Sequence, residues 1–352
     1  MSEKQLRVVV AGLGNMGRSH ALAYHRNPGF EIAALVNRSA VDLDGELSGY
    51  TVERSFEGAL KRELPDAVSI NTYSDSHADY AVMALEAGAH VFVEKPLATT
   101  VKDAERVVAA AKANGRKLVV GYILRHHPSW QKLIAEARAL GGPYVFRMNL
   151  NQQSSGPTWE THKQLMQTTS PIVDCGVHYV DVMCQITDAK PVEVRGMGLR
   201  LSDEIAADMY NYGHLQVLFD DGSVGWYEAA WGPMISETAF FVKDIMSPKG
   251  SVSIVMDEGA KSDDIDTHTK TATIRVHRAQ RGADGRFAAP DEILRMEGEP
   301  GHQELCEREQ AFLLKAIRED LDLTRHMEDA VQSLKICLAA DESVRTGRAV
   351  KL

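Results

Sequence analysis

The run Val8-Val9-Val10-Ala11-Gly12-Leu13-Gly14-Asn15-Met16-Gly17 constrains this chain more than any other stretch. An apolar segment feeds directly into G-x-G-x-x-G, and the mixed polar and apolar residues that follow, Arg18 to Arg26, predict a helix. Strand, glycine turn and helix in that order aim the free N–H groups and positive end of the helix at an anion. Gly12 suits the tight turn, Gly14 lets a pyrophosphate approach the backbone, and Gly17 lets the helix pack against the strand. A dinucleotide site built on Gly12, Gly14, Asn15, Met16 and Gly17 is the first expectation.

A chain of 352 residues suits two domains better than one core. The expected division is a dinucleotide-binding domain over 1–124 and a substrate-binding and oligomerisation domain over 125–352. A formal net charge of −10 argues against nucleic acid or an anionic membrane surface as partner. No run approaches the ~18 apolar residues of a membrane span. The first residues, Met1-Ser2-Glu3-Lys4-Gln5, lack the apolar core of a signal peptide. Cys175, Cys184, Cys306 and Cys337 are scattered without a C-x-x-C pair, as suits reduced thiols in a cytoplasm. The histidines form no metal-ligand spacing, so no metal is expected, and the adjacent His126 and His127 read as polar loop residues.

Along the first part, short β-rich runs alternate with helical stretches, the pattern of a doubly wound parallel sheet. Expected strands are Leu6–Ala11, Glu31–Val36, Ala67–Thr72, His90–Val93 and Lys117–Tyr122, with helices near Met16–Arg26, Phe56–Arg62, Ser76–Ala87 and Lys102–Ala113. After a helix near Ser129–Leu140 and the breaker Gly141-Gly142-Pro143, the texture changes. Strand-like runs follow at Tyr144–Asn151, Val192–Leu201, Tyr210–Phe219, Ser223–Trp231, Thr238–Lys243, Ser251–Met256 and Thr271–His277. Asp220-Asp221-Gly222-Ser223 reads as a hairpin turn, and Asp257–Lys270 and Gln280–Pro290 as polar loops. Strands joined by turns predict an open, mostly antiparallel sheet. Helices near Gly301–Glu319 and Met327–Thr346 close the chain. The fold class is therefore α/β: a Rossmann sheet followed by an α+β domain.

Two features carry chemistry beyond the glycine loop. The strand Ala33-Ala34-Leu35-Val36 ends in Asn37-Arg38-Ser39, where dinucleotide folds often place a carboxylate for the ribose. An amide, a guanidinium and a hydroxyl there accommodate a 2′-phosphate, which leans the cofactor toward NADP over NAD. With NAD, Asn37 would meet the ribose and Arg38 the adenine face. Glu94-Lys95-Pro96 follows the apolar strand His90–Val93, placing a lysine at the carboxyl end of a sheet strand. Ser170-Pro171 reads as an N-cap with an N1 proline, opening a helix to Ile186 on which Asp174, His178 and Asp181 share a face. An acid and an imidazole one turn apart serve proton transfer, although such a face is also common as a surface hydrogen-bonded pair.

Taken together, Gly12–Gly17, Glu94-Lys95-Pro96-Leu97-Ala98 and Asp174-Cys175-Gly176-Val177-His178-Tyr179-Val180-Asp181 resemble the Gfo/Idh/MocA oxidoreductases, the family of glucose–fructose oxidoreductase and inositol dehydrogenase. The resemblance implies hydride transfer between a nicotinamide and a secondary alcohol of a cyclic polyol or sugar, in a site between the two domains. By that resemblance Lys95 hydrogen-bonds the substrate oxygen, His178 takes the hydroxyl proton and Asp174 holds a neighbouring hydroxyl; Lys95 as the base stays open. Other reaction classes in such proteins are transient oxidation by a retained NAD, which permits glycoside cleavage, and non-catalytic sugar sensing. Where many relatives carry T-P or N-P, this chain has Thr72-Tyr73-Ser74-Asp75-Ser76-His77, with His77 expected to face the nicotinamide half. Thr72, Tyr73 and Glu94 join the expected cofactor contacts. Tyr122 and Arg125 are expected to border the substrate cleft, and Trp159 to stack on a sugar ring or anchor a loop. A homodimer or homotetramer assembled through the open sheet completes the expectation.

Overall fold

The computed structural model of the chain describes residues 4–352 apart from 239, 257–258, 264–268 and 270. It begins with β1 (Leu6–Ala11), α1 (Asn15–Arg26), β2 (Phe30–Val36), β3 (Val52–Glu53), α2 (Phe56–Glu63), β4 (Ala67–Ile70), α3 (His77–Glu86), β5 (His90–Val93), α4 (Val101–Ala113) and β6 (Leu118–Val120). The six strands are parallel in the order β3-β2-β1-β4-β5-β6, which reverses direction between β1 and β4. Val8, Val9, Val10, Val91, Phe92 and Val93 are wholly buried, as a parallel sheet covered on both faces demands. Side-chain caps start two of the helices: Ser55 accepts from the Gly58 N–H and Thr100 from the Asp103 N–H.

Next come α5 (Pro128–Leu140), β7 (Val145–Gln153), α6 (Gly156–Leu165), α7 (Pro171–Asp174), α8 (Gly176–Ile186), β8 (Pro191–Leu199), β9 (Tyr212–Phe219), β10 (Val224–Gly232), β11 (Lys243–Ser247), β12 (Gly250–Val255), β13 (Thr273–Arg278) and β14 (Glu292–Arg295). The chain closes with α9 (His302–Arg318), α10 (Thr324–Thr346) and β15 (Val350–Lys351). The second sheet runs β14-β13-β12-β11-β7-β10-β9-β8-β15; β7 and β10 are parallel and every other pair is antiparallel. Two compact units result, Met1–Ile123 with Gly301–Val331, and Leu124–Pro300 with Gln332–Leu352. In the first, Leu313 and Ala316 of α9 join Val8, Tyr24, Leu35 and Phe92 in one core. In the second, Trp130, Tyr179 and Tyr227 stack in sequence, with ring centroids 5.7 Å and 4.9 Å apart.

Several local expectations shift. The strand expected at Thr238–Lys243 lies at Lys243–Ser247, and Lys243 is its first residue, 1% exposed. The helix expected from Ser170 to Ile186 is two, α7 and α8, divided at Cys175, whose carbonyl accepts the His178 N–H at 3.2 Å in a tighter i→i+3 turn. Gly176, which opens α8, sits where a Cβ would lie 3.0 Å from the Tyr227 ring. Helix α6 and strand β14 were not anticipated. His127 is no surface loop residue: it is fully buried and caps α5, its Nδ1 accepting the Ser129 N–H. Part of the expected Asp257–Lys270 loop lies outside the described residues. Among the described residues, no helix is long and apolar enough to cross a membrane.

Candidate active site

Three loops leave the carboxyl ends of β1, β4 and β5, neighbours around the point where the first sheet reverses its order. Ligands of doubly wound sheets bind at such a point. In the β1 loop Gly12 has φ +87°, and a Cβ on it would fall 2.5 Å from the Asn71 carbonyl oxygen. A Cβ on Gly17 would fall 1.9 Å from the Gly12 carbonyl oxygen. At Gly14 a Cβ would meet no protein atom within 4 Å. Protein thus fills the space beside Gly12 and Gly17 and leaves it open beside Gly14, at the head of the twelve-residue helix α1. These residues fit a dinucleotide pyrophosphate.

At the end of β2, Asn37 does a different job from the expected ribose contact. Its Oδ1 accepts the Leu13 N–H at 3.0 Å and its amide donates to the Ser39 carbonyl at 3.0 Å, clamping the glycine loop to the β2 end. Arg38 and Ser39 are exposed. Ser39, Asp42, Tyr50 and Arg54 help line an adjacent cavity of about 380 Å³, and Arg54 donates to the Arg38 carbonyl at 3.2 Å.

After β4, Thr72 is half-buried and Tyr73 exposed. His77 is 1% exposed, with Nδ1 2.8 Å from the Pro96 carbonyl and Nε2 2.9 Å from the Thr72 carbonyl. Rather than presenting a free nitrogen to a nicotinamide, the ring staples the β4 loop to the β5 loop. Burial lowers its pKa and the two carbonyls oppose that shift. After β5, Lys95 is half-buried, whereas Glu94 turns inward at 6% exposure and accepts the Lys95 backbone N–H at 3.1 Å. Glu94 therefore supports the turn from behind rather than lining a cofactor surface. Tyr122 is also wholly buried, its ring centroid 6.2 Å from that of His326, and borders no open surface of its own unit.

In the second unit Ser170 accepts the Val173 N–H at 3.1 Å and Pro171 takes the first helical position, so α7 starts as its sequence dictates. Asp174 ends α7 and His178 lies in the first turn of α8; they are 7% and 8% exposed. Asp181 is wholly buried and does not join them in an exposed face. Its carboxylate accepts Arg125 Nε at 2.8 Å and Nη2 at 2.6 Å, with Gln185 Nε2 at 2.9 Å. Arg125 is thereby held in a bidentate pair within the second unit. Trp159 is 5% exposed on α6 with Lys163 Nζ 5.9 Å from its ring centroid, the anchor alternative rather than an open stacking face. The sequence reading missed His20 and Gln310, whose burial depends on α1 meeting α9, and Lys243, which hydropathy alone places outside.

Family models describe the same division. "Oxidoreductase family, NAD-binding Rossmann fold" matches residues 6–122, and "GFO/IDH/MocA C-terminal domain" matches residues 131–241. Inositol 2-dehydrogenase of Salmonella typhimurium (strain LT2) is 27% identical over 186 residues, 51% of this chain and 53% of that protein. UDP-N-acetylglucosamine 3-dehydrogenase of Acidithiobacillus ferrooxidans is 30% identical over 196 residues, 55% of this chain and 58% of that protein. The chain thus spans about half the length of the curated relatives it matches. Over nearly the whole chain the fold is that of scyllo-inositol dehydrogenase from Lactobacillus casei, a structure with bound NAD(H) and scyllo-inositol: TM-score 0.77, 20% identity, 99% of each chain covered.

Proposed function

Because the chain belongs to the GFO/IDH/MocA oxidoreductase family, we propose that it is an NAD(P)-dependent dehydrogenase acting on a secondary alcohol of a cyclic polyol or sugar. The first unit serves the cofactor and the second the substrate. The observation that carries this reading is the lysine after β5, at the same carboxyl edge as the β1 glycine loop and one strand beyond β4, in a sheet that fits a dinucleotide. The names of the curated relatives, an inositol dehydrogenase and a nucleotide-sugar dehydrogenase, support the substrate class.

With a dinucleotide held at the Gly12, Gly14 and Gly17 loop, its nicotinamide would supply the hydride acceptor or donor. Lys95 donates a hydrogen bond to the reacting oxygen and stabilises negative charge on it. Glu94 turns inward behind it: burial opposes charging that carboxyl, but His20 and Lys95 hold its pKa below the ordinary value. His178 takes the hydroxyl proton, and Asp174 orients a neighbouring hydroxyl. Arg38 and Ser39, exposed at the end of a strand that carries no carboxylate there, favour NADP, with Arg54 nearby.

The open face of the second sheet supports assembly into a homodimer or homotetramer. Met246, Val145, Val224 and Leu218 lie side by side across four strands, and the last three are 40%, 39% and 42% exposed. Four free, buried cysteines suit a cytoplasmic setting. The deciding experiment offers inositols, aldoses and UDP-sugars with NAD⁺ and NADP⁺ while following nicotinamide absorbance. Turnover of one ring alcohol class supports the reading; cofactor binding without turnover of any of them overturns it.

A further inference from the structure

Behind the Lys95 turn runs a buried line of hydrogen bonds within the first unit. Glu94 Oε1 lies 2.7 Å from His20 Nε2, and Gln310 Nε2 lies 2.8 Å from His20 Nδ1. Tyr24 O–H donates to Gln310 Oε1. Tyr24, His20 and Gln310 are all 0% exposed. Because the Tyr24 O–H donates to Gln310 Oε1, the Gln310 amide nitrogen faces His20 and donates to Nδ1, which leaves Nε2 to donate to the Glu94 carboxylate. The line therefore runs Tyr24 to Gln310 to His20 to Glu94, and Glu94 Oε2 receives the Lys95 N–H at 3.1 Å.

The carboxylate has little room to leave this arrangement. A Cβ on Gly121 would lie 3.3 Å from the Glu94 carboxyl carbon and 3.1 Å from the Phe92 ring, and the His20 ring packs 4.7 Å from that of Phe92. Next to Gln310 on α9, Glu309 is 1% exposed and neither of its oxygens has a hydrogen-bond partner among the described residues. Burial, then the nearby Glu94 charge, raises its pKa, whereas for Glu94 burial is outweighed by the His20 hydrogen bond together with Lys95, and its pKa is lowered. His20, Cys306 and Glu309 place ligand atoms within 4.8 Å of one another. Both His20 nitrogens are already hydrogen-bonded, and burial keeps the Cys306 thiol protonated, so this group suits a hydrogen-bonding scaffold better than a cation.

We propose that His20 and Gln310 are positioning residues for Lys95: through Glu94 they hold the backbone of the catalytic turn, making α9 a structural arm of the reaction centre. The proposal rests on the reading that Lys95 contacts the reacting oxygen. The full-length protein and its His20→Leu, His20→Gln, Gln310→Met and Lys95→Ala variants supply the test. Hydrogen exchange by mass spectrometry is read on peptides spanning residues 90–99 without cofactor. Turnover is then measured with the best alcohol found in the panel above, and NADPH affinity by fluorescence.

His20→Leu and Gln310→Met should speed exchange in this segment at least about tenfold, lower kcat roughly 10- to 100-fold, and leave NADPH affinity within about threefold. His20→Gln, which can still accept from Gln310 and donate to Glu94, should recover most of both losses. If His20→Leu fails to fold, Gln310→Met carries the test, since it keeps the helix volume and the His20–Glu94 bond. Unchanged exchange and kcat in Gln310→Met, with Lys95→Ala inactive, overturn the positioning role and leave the dehydrogenase reading standing. Normal turnover in Lys95→Ala overturns that reading instead, while the exchange data still decide whether the relay holds the turn.

Discussion

Removing the Asp181 carboxylate should be among the most damaging single changes available in the second unit. Asp181 is wholly buried, and the Arg125 side chain retains only 16% of its exposure. Two guanidinium donors, at 2.8 Å and 2.6 Å, end on one carboxylate that also accepts from Gln185. Such a fork is geometrically strong, and breaking it removes two charge-assisted bonds from a largely buried guanidinium. Asp181→Ala is therefore expected to cost about 3–5 kcal/mol, and Asp181→Asn, which keeps one acceptor, about 1.5–3 kcal/mol. All four tryptophans, Trp130, Trp159, Trp226 and Trp231, lie in the second unit, so urea unfolding followed by their fluorescence reports on it directly. With a slope of about 2 kcal/mol per molar urea, the Asp181→Ala midpoint should fall by roughly 1.5–2.5 M. The double variant Arg125→Met, Asp181→Leu should recover most of that loss, since an apolar pair removes both desolvated charges. A midpoint shift below about 0.3 M for Asp181→Ala would refute the assignment of Arg125 to the scaffold and return it to the list of ligand contacts.

Gly14→Ala should leave thermal stability within about 0.5 kcal/mol yet weaken NADPH binding, whereas Gly17→Ala should cost about 1–3 kcal/mol without any cofactor, because only the second Cβ meets protein; calorimetry with and without NADPH separates them. Lys95→Ala and His178→Ala should each lower kcat by roughly 10²- to 10⁴-fold in steady-state assays, and near-normal turnover in either removes that residue from the chemistry. Arg38→Ala should reduce kcat/KM for NADP roughly 10- to 100-fold and for NAD far less; equal losses would argue against a 2′-phosphate contact. Burial pushes the Lys243 pKa down to about 7, with Glu299 opposing, so between pH 7 and 10 the unfolded chain holds a proton that the folded side chain has lost. Stability relative to Lys243→Met should then rise with pH across that window and be flat below it, and at pH 6 the Met variant should be the more stable by roughly 1–4 kcal/mol in urea titrations.

The parallel sheet was legible because its central strands carry buried apolar runs, with β1 and β5 found residue for residue, while the half-buried two-residue β3 left no such run. The glycine loop was legible for a steric reason: Gly12 and Gly17 sit against backbone oxygens that exclude any side chain, a requirement local enough to leave a sequence pattern. Where the reading slipped, the deciding interaction came from elsewhere in the chain. Lys243 blurred the start of β11 because its side chain is buried 5.2 Å from the Trp130 ring, a contact made across more than a hundred residues of sequence. Helix α6 opens at Gly156-Pro157 with no apolar periodicity to announce it, and Pro157 stands in its first turn, where its missing N–H costs nothing. His20 looked like one polar residue on an amphipathic helix, and its burial follows only once α9 places Gln310 against it. The same division governs the candidate site. Lys95, Asp174 and His178 could be nominated because their motifs are local, whereas the bonds by which Glu94, His77, Arg125 and Asn37 hold backbone or scaffold have partners no motif names. In this fold the residues next to the nominated groups do as much as the groups themselves: they fix the loops from behind, and their partners are set by packing that no short motif encodes.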